Sequence, residues 1–180
     1  MSIFRFLGLE PPKSAPSPDS LETETVRKIV GSLDKLDPER AKFIASFAYI
    51  LSRVARADLQ ISAEEVQAME QLVMSKGGLP EEQAVIVVQM AKTQNILFGA
   101  TENYLVTREF NNIATREEKI ALLHCLFAVS SADQSVSSAE DSEIRQIASE
   151  LKIEHRDLIA VRSAYREHLA VLKKPPASEL

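Results

Sequence analysis

Residues 47–72 read FAYILSRVARADLQISAEEVQAMEQL, and residues 122–147 read LLHCLFAVSSADQSVSSAEDSEIRQI. Laid over one another without a gap, at an offset of seventy-five residues, they agree in kind along their length: Phe47 with Leu122, Leu51 with Leu126, Val54 with Val129, Leu72 with Ile147. Any two amphipathic helices would agree in this way, because both need apolar residues at spacings of three and four. The polar agreement is more specific. Ala57-Asp58 stands over Ala132-Asp133, Ile61-Ser62 over Val136-Ser137 and Glu65 over Glu140, so that A-D-x-x-[IV]-S-x-x-E occurs twice. Each unit reads as a long helix, a short turn opening on Asp and a second helix, followed after Gly77-Gly78 or Lys152 by a third. Two such units are expected to pack about a pseudo-twofold axis, each covering the stripe that the other leaves open.

The same periodicity extends outward in both directions. Helices are expected near Ser20 to Leu33, Pro38 to Ala57, Ala63 to Lys76, Pro80 to Thr93, Thr101 to Phe110, Arg116 to Ser131, Ser138 to Leu151 and Glu154 to Leu172. This is an all-α domain of seven to eight helices, with stripes such as Ile44, Phe47, Leu51, Val54 turned to the core. Composition agrees: the chain of 180 residues is 45% hydrophobic with Gly 5 and Trp 0, and Ala, Leu, Ile, Glu and Gln fill the segments between breakers. Of the eight prolines, only Pro38 and Pro80 fall inside this region, at first-turn positions where a missing N–H does no harm. Residues 1–19 therefore read as an apolar N-terminus and Pro-rich linker, 20–172 as the helical domain and 173–180 as a tail.

A net charge of -5 and a pI near 5.3, with no basic stripe, argue against nucleic-acid binding, which needs clustered Lys and Arg to displace counterions. The single Cys125 excludes an internal disulfide or a cysteine zinc cluster and fits a reducing, cytoplasmic setting. No run approaches the ~20 apolar residues that cross a bilayer. The opening MSIFRFLGLEPP lacks both the apolar core and the small-residue cleavage site of a signal peptide. Its Ile3, Phe4, Phe6 and Leu7 fit either weak contact with a membrane surface or docking on a protein groove.

The turn motif has a structural and a functional reading. In the structural one, Ser62 with Glu65 and Ser137 with Glu140 are capping boxes: the Ser oxygen takes the N–H three residues on, and the Glu carboxylate returns to the Ser N–H. Thr115 with Glu118 has the same form without an Asp. The aspartates are less easily absorbed, because a carboxylate just past a helix C-terminus faces the negative end of the macrodipole. An Asx-turn, or Arg56 in the first unit, offers a structural reason. In the functional reading, Asp58, Glu65, Asp133 and Glu140 ligate a divalent cation of the Ca²⁺ or Mg²⁺ class, which prefers oxygen donors. This is not an EF-hand. The earlier loop positions fall on Val54 and Arg56, which cannot ligate, and Leu59 stands where the obligatory Gly belongs; the second unit fails likewise at Val129, Ser131 and Gln134.

A duplicated A-D-x-x-[IV]-S-x-x-E turn between amphipathic helices resembles the TerB-like superfamily, which includes tellurite-resistance TerB and the N-terminal domain of DjlA-type co-chaperones. The resemblance covers about Asp37 to Leu172. It implies an all-helical bacterial domain whose recurrent acidic residues form a metal-binding or acidic interaction surface. That role would fall here on Asp58, Glu65, Asp133 and Glu140. Family members often carry Gly directly after the Asp, whereas this chain has Leu59 and Gln134, so each turn lacks its most permissive residue. Tellurite resistance, or another stress response, belongs to the family name; no residue here decides it.

Catalysis finds little support in the residues. His124, His155 and His168 are scattered, and adjacent His124 and Cys125 point about 100° apart on a helix. Phosphate-loop, H-E-x-x-H and G-x-S-x-G patterns are all missing from the sequence. The expectation is a non-enzymatic module that binds a divalent metal or a basic protein partner through paired acidic turns. The alternative is a membrane-peripheral scaffold or co-chaperone-like interaction domain anchored by residues 1–9.

Overall fold

The structure, a computed structural model, describes residues 28–54, 63–92, 103–132 and 135–170. A helical stretch over 28–33 leads into α1 (Pro38–Val54), α2 (Ala63–Ser75), α3 (Glu81–Lys92), α4 (Asn103–Ile113), α5 (Arg116–Ser130), α6 (Ser138–Glu150) and α7 (His155–Ala164), closed by the 3₁₀ turn Arg166–His168. The domain is all-α, as the periodicity requires. Pro38 is the first residue of α1, and Asp37 caps it by accepting the Glu39 N–H at 2.9 Å. Pro80 lies one residue before α3, and its carbonyl accepts the Ala84 N–H at 2.9 Å.

The sequence stripe Ile44, Phe47, Leu51, Val54 assigns α1 one buried face. In the structure every residue from Phe43 to Val54 is buried, Ser46, Ser52 and Arg53 included. A helix covered all round is the centre of its domain, and α1 is packed by α3, α4, α5 and α6. The aromatic core forms on it: Phe110 of α4 lies 5.2 Å from Phe43 and 6.2 Å from Phe47, centroid to centroid. Gly77 lets α2 turn into α3 against this core, since a Cβ there would stand 2.5 Å from the Val73 carbonyl oxygen and 3.1 Å from the Phe47 ring.

The duplication read from the sequence is also a duplication of packing. α1 and α5, the first helices of the two units, touch each other. α1 also packs on α6 while α5 packs on α2, so each first helix meets the second helix of the other unit. The third helices follow suit, α3 on α1 and α7 on α5. Phe47 and Leu122, like Leu51 and Leu126, are matched in sequence and completely buried. The helix ends after α2 and α6 each carry a left-handed residue, one position apart in the repeat: Gly78 has φ +67° and Lys152 has φ 55°, and after Lys152 the Ile153 N–H folds back to the Ala148 carbonyl at 2.9 Å.

The helix expected to end at Phe110 runs on to Ile113, and the largest departure from the sequence expectation is at the last helix. The last helix does not run from Glu154 to Leu172; it ends at Ala164, and Tyr165 and the 3₁₀ turn reverse the chain. Leu169 is then buried in an isolated parallel bridge with Val136. Val136 donates its N–H to the His168 carbonyl at 2.7 Å and accepts the Ala170 N–H at 2.9 Å. Two backbone hydrogen bonds and the burial of Leu169 outweigh one further turn of an exposed helix, whose stability depends on a packed face.

Candidate functional site

The second acidic corner lies between α5 and α6. α5 closes at Ser131, whose N–H reaches the Phe127 carbonyl at 2.9 Å. The chain re-enters helix at Ser137, which has extended backbone and accepts the Glu140 N–H on Oγ at 3.2 Å, while Glu140 Oε2 accepts the Ser137 N–H at 2.8 Å. The capping box is formed as the spacing demands, and Thr115 with Glu118 forms another at α5. Val136, the branched position of the motif, is 1% exposed and held by the bridge to Leu169. One reason for the Ile-or-Val before the Ser is therefore structural: it pins the approach to α6.

Of the four expected cation ligands, Glu140 is the one whose side chain is described, with one oxygen committed to the cap. Asp58 and Asp133 lie outside the described residues, and Glu65 falls in the first turn of α2 with its side chain likewise undescribed. Among the described residues, no group of three or more His, Cys, Asp or Glu side chains is gathered as a metal ion requires. Ile3, Phe4, Phe6 and Leu7 also lie outside the described residues. No helix among those described is long and apolar enough to cross a membrane.

Two charge networks near the corner escaped the sequence reading. Arg53, in the last turn of α1, has a fully buried side chain. Its Nε donates to Glu143 at 2.8 Å, and its Nη1 donates to Glu150 at 2.7 Å and to Thr107 Oγ1 at 2.9 Å. α1 of the first unit is thereby tied to α4 and α6 through one guanidinium. Burial opposes its charge, yet the hydrogen bonds it donates to Glu150 and Glu143 leave its pKa raised. Burial also works against Glu150, whose pKa is nevertheless depressed by the hydrogen bonds from Arg53 and Gln146. The second network is Asp141, beside Glu140 and 3% exposed, which accepts from Arg162 Nε at 2.8 Å and Nη2 at 3.1 Å and pairs with Arg145 at 3.4 Å. Neither has a repeat counterpart, because Ala128 stands at the place of Arg53 and Val66 at that of Asp141. The signal in the sequence was a lone Arg in a helix otherwise apolar or small, with Glu143 and Glu150 seven apart on one face of α6.

Cys125 and His124 make no nucleophilic pair. Cys125 is fully buried, and burial pushes its thiol up to about 12, far from the thiolate that attacks. His124 is half-buried, and burial together with Lys76 lowers its pKa; its carbonyl accepts the Tyr165 hydroxyl at 3.0 Å.

Fold and corner together define a duplicated all-α domain, built of helix-turn-helix units, the second of which has its turn fixed by a reciprocal cap. Residues 43–163 match the model of the family described as tellurite resistance protein TerB, and the chain belongs to that family. It is not a known enzymatic family. No curated protein and no solved structure matches the chain.

Proposed function

We propose that this TerB-family chain is a non-enzymatic cytoplasmic binding module whose two acidic turns act together on a positively charged ligand, a divalent cation in the first place. The observation that carries the reading is the reciprocal packing of α1 on α6 and α5 on α2, which makes the two motif-bearing units equivalent parts of one body. The reading has the carboxylates of the two turns close enough to repel one another, a repulsion that a cation would relieve. Asp58, Glu65, Asp133 and Glu140 are the oxygen donors the reading assigns. A hard cation suits such donors, and Glu140 keeps one carboxylate oxygen beyond its cap contact to offer. Bound metal would stabilise the domain by mass action.

The test is a thermal-shift and NMR titration of the full chain with Ca²⁺, Mg²⁺, Mn²⁺ and Zn²⁺, comparing wild type with Asp58→Asn/Asp133→Asn. The reading expects a metal-dependent rise in Tm that the double variant lacks. Equal responses in the two proteins, or none in either, would sink the cation reading. A basic peptide titrated into the same pair then decides whether the turns take a protein partner instead.

A further inference from the structure

On the opposite ends of α5 and α6 from the acidic corner lies a cavity of about 190 Å³, lined by Arg116, Lys119, Ile120, Lys152, Ile153, Glu154 and Asp157. Its carboxylates are already occupied by arginines: Asp157 accepts from Arg116 at 2.6 Å, and Glu154 pairs with Arg156 at 2.8 Å. The lysines are not so matched. Lys119 Nζ donates to the neutral Asn111 Oδ1 at 2.6 Å, and neither Lys119 nor Lys152 forms an ion pair with a carboxylate among the described residues. Burial, and after it the charge of Lys152, lower the pKa of Lys119, so its ammonium is held in the cavity at a cost.

Two features of the backbone point the same way. α7 begins at the cavity wall, where its N-cap Glu154 makes no side-chain capping bond, so the positive end of that helix borders the space uncapped. Lys152 occupies a left-handed conformation, φ 55°, just past its helix, where the other unit places the left-handed residue one position later and makes it Gly78. A side chain there is strained where glycine is not. The strained residue is the one that carries the second ammonium into the cavity.

We propose that this cavity binds a small oxyanion of the phosphate class, held by Lys119 and Lys152, with Arg116 and the first turn of α7 alongside. A dianion suits the place, since a single carboxylate would neutralise only one of the two lysines that line it. The volume falls below the roughly 300–1,000 Å³ of drug-sized ligand pockets, which fits an ion or the head of a larger molecule.

The experiment titrates inorganic phosphate into the full chain, read by amide shifts and Tm against chloride at matched ionic strength. Wild type should show saturable shifts centred on Lys119, Lys152 and Ile153. Lys152→Gly removes the ammonium and supplies the residue its backbone favours. It should fold at least as stably yet bind phosphate roughly tenfold more weakly, the scale of one charge-assisted hydrogen bond. Lys119→Gln should weaken binding likewise, so the proposal stays exposed even if one variant is damaged. A phosphomonoester such as glycerol phosphate forms a second arm. Tighter binding than phosphate marks the anion as part of a larger ligand, and equal binding marks the free ion. Undiminished binding by both variants, a chloride control that reproduces the shifts, or no saturable response in wild type overturns the proposal.

Discussion

Replacing Arg53 by Met keeps most of the side chain's length while deleting its charge and its donors. Glu150 and Glu143, 15% and 31% exposed, then lose the guanidinium that both accept from, and Thr107 loses one donor. Removing one partner of a buried ion pair costs about 3–5 kcal/mol. Because Glu143 keeps substantial access to water, the lower end applies, about 3 kcal/mol, or roughly 6–12 °C in Tm for a domain of this size. Urea unfolding of wild type and Arg53→Met measures the loss. Adding Glu143→Gln and Glu150→Gln should recover much of it, since the neutral triple variant leaves no buried charge alone. The loss also depends on pH. Glu150 titrates lower in the folded chain than its ordinary 4.5, so on acidification the unfolded chain takes up that proton first. The contribution of the Arg53–Glu150 pair is therefore complete above 4.5 and fades as the pH falls through the folded value. A loss under about 1 kcal/mol at neutral pH, the worth of an exposed ion pair, would refute the reasoning. So would a triple variant no more stable than the single one.

Ser137→Ala removes the hydroxyl that accepts the Glu140 N–H and should cost about 1 kcal/mol by thermal unfolding. The backbone N–H at position 137 still reaches the Glu140 carboxylate, so any cation response should persist in this variant while its stability falls. Cys125, buried and with its thiol pushed up to about 12, should resist alkylation in the native chain at neutral pH and react fully in denaturant. Rapid native labelling would show that α5 opens locally without unfolding.

How far the sequence revealed this fold depended on whether a feature is local. The helices, the Pro38 start and the reciprocal caps at Thr115 and Ser137 are set by residues three or four apart, and they stand where that spacing puts them. The repeat was legible because polar residues matched at the turns. The end of α7 was not. Val161, Leu169 and Val171 keep enough apolar content to continue a helical pattern, and what stops the helix is Val136, far back in the chain, offering a backbone partner to Leu169. Arg53 was passed over for a related reason: its partners come from α4 and α6, and its repeat counterpart Ala128 gives no hint of a charge. The Lys119–Lys152 cavity was hidden likewise, since the end of one helix hairpin meets the start of another helix only in three dimensions. Of the proposed cation site, the residue types and the cap of Glu140 could be read from the motif.

The burial of α1 on all its faces bears on how the duplicated chain can be divided. A cut between α3 and α4 would leave the first fragment with a bare greasy rod, stripped of its cover from α4, α5 and α6, and the second with a hollow shaped to receive it. Neither piece is a module in its own right, and the two should regain order only by finding each other. Kinship between halves has here become mutual dependence.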